Sequence, residues 1–167
     1  MAISASCFAG LAISTAFDRR YGALKLLGMT PLGKTGFVSA RILTALLIAT
    51  IQFLLILLAG VTLRENLNVS GYLVLALTLS VTSWTSWALV LAATLRAEAV
   101  LAIANTLFIV FSVGAFVLID SSSALIVMIN PLSAALALAA GDLVGLGSLV
   151  LWSVIGFMTA RRRFTWV

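Results

Sequence analysis

Long apolar runs separated by short charged loops leave this chain few folds to choose from. Residues 37–63, 72–95, 100–119 and 144–160 each run almost without charge. A helix needs about 20 apolar residues to cross the hydrocarbon of a bilayer. Only 9% of the 167 residues are charged and 63% are apolar, whereas a soluble domain carries roughly a quarter charged residues. A water-soluble fold would therefore leave large apolar patches exposed. In lipid, where the backbone must satisfy its own hydrogen bonds, runs rich in Leu, Ala and Ile mean helices. A membrane barrel would need short segments of alternating polarity, which are absent. The expectation is an all-α, polytopic membrane helix bundle.

Residues 1–17 make a further, short apolar run. No cation opens it, so it lacks the positive start of a signal peptide and reads as a span. Residues 124–140 are apolar too, but Asn130-Pro131 interrupts them, and proline breaks helical geometry before it and removes a donor. Neither half is long enough to cross. The positive-inside rule chooses between a crossing and a dip. If 124–142 dips in and returns, then Arg19, Arg20, Lys25, Lys34, Arg41, Arg96, Arg161, Arg162 and Arg163 share the cytoplasmic side, and only Arg64 is outside. A crossing would put the three terminal arginines outside. The re-entrant arrangement predicts about five spans, an outer half-helix pair, an outer N-terminus and a cytoplasmic C-terminus. One membrane domain over 1–167 is expected.

The residue inventory removes several chemistries. Histidine is absent and Cys7 is the lone cysteine, so no His-based acid–base catalysis, thiolate metal site or internal disulfide can be built. No catalytic, cofactor-binding or metal-ligating residue is assigned. The few carboxylates are scattered, and Asp120 and Asp142 fall at span ends, which disfavours a lipid-modifying enzyme and a proton relay. The net charge of +5 comes from cations at the ends of apolar runs, so the partner it suits is the lipid bilayer, with no nucleic acid.

Gly28-Met29-Thr30-Pro31-Leu32-Gly33-Lys34-Thr35 matches the phosphate-loop pattern G-x-x-x-x-G-K-[ST]. The pattern works only between a buried strand and a helix N-terminus. Here it lies between an interfacial segment and a span, and Pro31 removes an amide from the cradle, so it reads as a decoy.

The polar loop 18–35 is more informative. Phe17, Tyr21, Leu24 and Leu27 recur at roughly helical spacing, among Arg19, Arg20 and Lys25. The spacing predicts a short amphipathic interfacial helix over 18–27, closed by Gly28 and Pro31. It could simply rest on an anionic leaflet, or it could dock a cytoplasmic motor. Inside the spans, Gln52, Thr78, Ser80, Ser83, Thr85, Ser86 and Asn105 either face a pathway or glue helices together; for Asn105 an interhelical hydrogen bond is expected.

Taken in order, Asp18, Arg19, Gly22, Leu24, Lys25, Leu27, Pro31 and Leu32 resemble the cytoplasmic loop of type-2 ABC-transporter permeases, the membrane subunits of drug, lipid and polysaccharide exporters. Leu95-Arg96-Ala97-Glu98-Ala99 with Asn105 resembles that family's short inner turn and next helix, and Asn130-Pro131-Leu132-Ser133 its outer re-entrant element. The resemblance covers essentially the whole chain. It implies that Asp18, Arg19, Arg20, Tyr21, Gly22, Leu24, Lys25 and Leu27 form an ATPase-coupling helix. It implies an ABC ATPase subunit and a second permease copy or homologous half as partners, with ATP and magnesium on the ATPase and none on this chain, and a cytoplasmic (inner or cell) membrane as the location. Such permeases carry a further span ahead of the region matched, so a chain lacking the first span is expected; the alternative is a truncated or non-transporting structural or assembly protein.

Overall fold

The computed structural model describes residues 2–31, 33–63, 69–117 and 124–164. Leu32, residues 64–68, Asp120 with the serines after it, and Trp166 fall outside them. The described chain is all-helical: α1 (Ala2–Ala5), a π-helical turn (Ser6–Gly10), α2 (Leu11–Arg20), α3 (Ala23–Gly28), α4 (Lys34–Thr62), α5 (Gly71–Thr94), α6 (Ala97–Val117), α7 (Ala124–Ile129), α8 (Pro131–Ala139) and α9 (Leu143–Arg163). Four helices, α4, α5, α6 and α9, are long and apolar enough to cross a membrane. The residues flanking the π turn are themselves helical, so α1, the turn and α2 form one rod.

The bundle is organised around α5, which packs against α9, α8, α4 and α2. Seven of its ten buried positions are small or hydroxylated, namely Ala76, Ser80, Ser83, Thr85, Ser86, Ala88 and Ala92, beside Val81, Trp84 and Leu89. Small residues let backbones approach where lipid supplies no hydrophobic drive between helices. Ser153 on α9 donates to the Leu79 carbonyl (3.2 Å), and Trp87 donates to the Trp152 carbonyl (3.1 Å). By contrast, α4 exposes Leu43, Leu47, Ile51, Leu54, Leu58 and Val61. Such a face belongs in lipid.

The expected break at Asn130-Pro131 is present, and its polar groups are accounted for. Pro131 has no N–H to offer the Val127 carbonyl, and the Leu132 N–H turns instead to Asn130 Oδ1 (2.9 Å). The two carbonyls this releases find donors on one face of α9. Ser148 donates to Val127 (3.1 Å) and Met128 (3.2 Å), and Trp152 Nε1 donates to Met128 (2.9 Å). Asn130 also caps the Ser133 N–H (3.4 Å) and donates to the Phe111 carbonyl on α6 (2.9 Å). Pro131 takes the first helical position of α8, where its fixed φ suits the helix. The start of α8 lies beside Trp84 and Trp87 in mid-α5. Its far end, at Gly141, lies against Tyr72 at the start of α5. The helix α8 therefore returns to the end from which α9 departs.

Candidate functional site

The opposite end of the bundle gathers the charges. The C-terminal ends of α2, α5 and α9, the N-terminal ends of α4 and α6, and all of α3 meet there, and every Lys and Arg among the described residues belongs to these segments or, as Arg96, to the turn joining α5 to α6. Three contacts hold it together. Arg19 reaches across to α5 and donates to the carbonyls of Ala93 (2.7 Å) and Leu95. These carbonyls end α5, where no further turn supplies donors and the helix dipole favours a cation. Arg20 pairs with Glu98 in the first turn of α6. Asp18 accepts from Arg41 (2.7 Å) on α4, and the Arg41 guanidinium also lies 5.3 Å from the Phe37 ring centre. Three consecutive residues, 18–20, thus tie α2 to three different helices.

The amphipathic helix expected over 18–27 is not continuous. Asp18, Arg19 and Arg20 are the last turn of α2, and Gly22, at φ +79°, turns the chain before α3 begins. This left-handed conformation favours glycine. The Gly22 N–H bonds to the Arg19 carbonyl (3.1 Å), closing α2, and the Lys25 N–H bonds to the Gly22 carbonyl (3.0 Å), opening α3. The break also redistributes the expected stripe. Leu24 is 1% exposed, in a cluster with Phe37, Val38, Leu89, Ala160 and Phe164, so it anchors α3 to the bundle and cannot meet a partner. Tyr21, Leu26 and Met29 are 77%, 65% and 77% exposed, and Lys25 and Leu27 are also exposed. Leu26 and Met29, absent from the sequence reading, belong to the outward face. Counting the helical period afresh from Gly22 would have found them.

The remaining candidates are dispersed. Gln52 accepts from Ser6 on the π turn (3.3 Å), a packing contact. Asn105 is exposed on α6 and donates to the Leu101 carbonyl of its own helix (2.9 Å), rather than to a neighbour as expected. Thr78 and Ser86 bond to carbonyls of their own helix, whereas Ser80, Ser83 and Thr85 are buried without a partner. The glycine-rich decoy joins α3 to α4, with Gly33 at the N-cap and Lys34 in the first turn, so a helix precedes it where a phosphate loop needs a strand.

No family model, characterised protein or solved structure matches this chain.

The geometry makes one local prediction. Nothing lies within 4 Å of a Cβ added at Gly22, so a substitution there meets only backbone strain. Gly22→Ala should cost about 1 kcal/mol and speed tryptic cleavage after Lys25 severalfold. Gly33→Ala, at an ordinary φ of −62°, should leave the cleavage rate unchanged.

Proposed function

We propose that this chain is the membrane-spanning permease subunit of an ATP-binding-cassette exporter, with α3 as the element that receives motion from a separate ATPase. One observation carries the reading: α3 presents Lys25, Leu26 and Leu27 outward at the charged end, flanked by exposed Tyr21 and Met29, while Leu24 and residues 18–20 fasten it to the bundle. An apolar knob ringed by cations suits a protein cleft better than water. A push on α3 passes through Arg19 to α5, through Arg20 to α6 and through Asp18 to α4.

In this reading the rod of residues 2–20 is the first of five spans, α7 and α8 form an outer re-entrant pair, and the charged end faces the cytoplasm by the positive-inside rule. The chain is one permease domain. It pairs with a second copy or a homologous half, and ATP and magnesium bind on the ATPase.

Leu26→Asp with Leu27→Asp should abolish co-purification of an ABC ATPase from native membranes, and Leu26→Cys should give a nucleotide-sensitive cross-link to it. Leu24→Asp is a poor test, because it would unseat the helix. If the natural chain recovers no ATPase from membranes that contain one in active form, the reading gives way to a non-transporting structural or assembly protein.

A further inference from the structure

The aromatic side chains of the mid-bundle leave a space between them. Phe8 on the π turn, Trp84 and Trp87 on α5, Phe111 on α6 and Trp152 on α9 line, with Pro131 at the α7–α8 break, a partly open cavity of about 270 Å³. Trp84 packs on Phe8 (4.9 Å between ring centres) and edge-on to Phe111 (5.6 Å), and Trp87 sits edge-on to Trp152 (5.4 Å). Hydrogen bonds pin two of the indoles: Trp87 donates to the Trp152 carbonyl, and Trp152 to the Met128 carbonyl. These hydrogen bonds fix the two rings in place on their side of the cavity.

The lining sets the chemistry of an occupant. The surface facing the cavity is carbon, and no Asp, Glu, Lys or Arg lines it, so an ion would lose its hydration without a counter-charge. Water fares little better, since it needs two or more polar partners. Flat π faces and edges favour rings stacked or set edge-on. An apolar cavity of about 150 Å³ takes benzene, and this one is larger, with room for a second ring.

We infer that this cavity is a binding site for an uncharged, apolar aromatic or conjugated compound of one to two rings. The inference does not rest on the transport reading, because every wall comes from a single chain.

Tritiated naphthalene matches this description. It would be titrated onto the full chain in phosphatidylcholine nanodiscs by scintillation proximity, with empty nanodiscs subtracted. The expected result is saturable binding of one equivalent. Leu107→Trp and Leu91→Phe enlarge two lining side chains, and each should weaken binding at least tenfold while helicity and elution volume are kept. Leu58→Trp, on the exposed face of α4, should bind like the natural chain. A linear signal from the natural chain, equal to that of empty nanodiscs, would mean that the probe only partitions or that an acyl chain already holds the cavity; either overturns the proposal. Saturable binding unchanged in a folded cavity-filling variant would overturn it as well, by putting the site elsewhere.

Discussion

Gly145→Ala should cost about 3 kcal/mol of stability, the largest effect expected from a single methyl group in this chain. A Cβ at position 145 would lie 2.5 Å from the Ala134 carbonyl oxygen and 2.7 Å from the Leu138 nitrogen. Both are backbone atoms, so no rotamer can relieve the overlap, and α8 must move away from α9. That movement opens the cluster of Ala76, Ala134, Leu138 and Leu149 and stretches the Ser148 bonds that serve the α7 carbonyls. Gly147, two residues on, has nothing within 4 Å of its added Cβ. Gly147→Ala should therefore leave stability unchanged or raise it by up to about 1 kcal/mol, since alanine is the better helix former. Unfolding in a graded mixture of mild and harsh detergent, followed by tryptophan fluorescence, reads both. Equal midpoints for the two variants would refute the close α8–α9 approach.

Asn130→Ala is expected to cost about 2–3 kcal/mol. The amide side chain serves three backbone groups: it accepts from Leu132 and Ser133 and donates to Phe111. Alanine would leave two N–H groups at the start of α8 unpaired, at a residue only 7% exposed, and an unsatisfied buried donor costs about 1–3 kcal/mol. Asn130→Ser should recover roughly half of the loss, because serine caps a helix but cannot reach α6. If alanine and serine unfold at the same midpoint, the capping account is wrong.

These two positions also mark what the amino-acid order can and cannot express. Apolar length was enough to locate α4, α5, α6 and α9 to within a few residues, because hydrocarbon imposes a minimum run. The break at Pro131 was legible because a missing N–H is written in the residue itself. Its repair by Ser148 and Trp152 was not, since those residues lie on another helix. Twelve glycines look alike in the sequence, and nothing local tells Gly145 from Gly147; the neighbouring backbone makes the difference. The π turn at Ser6–Gly10 escaped notice because its residues are as apolar as an α-helical run. At the charged end, the grouping of the residues differs from the expectation. Following the period of Phe17, Tyr21 and Leu24 straight through Gly22 made one helix of two, and turned an internal anchor, Leu24, into a contact residue.

The length of α4 carries a mechanical consequence. Its 29 residues rise about 43 Å, against a hydrocarbon slab of about 30 Å. Residues 42–62 alone account for about 32 Å, so an upright α4 lifts its first two turns, Arg41 included, clear of the slab. The Asp18–Arg41 pair then stands at the water boundary, where its strength follows local hydration. Hydrophobic mismatch thus acts on that pair directly. A thicker bilayer draws Arg41 towards lipid and tightens its grip on Asp18, and a thinner one wets the pair or tilts α4 away from it.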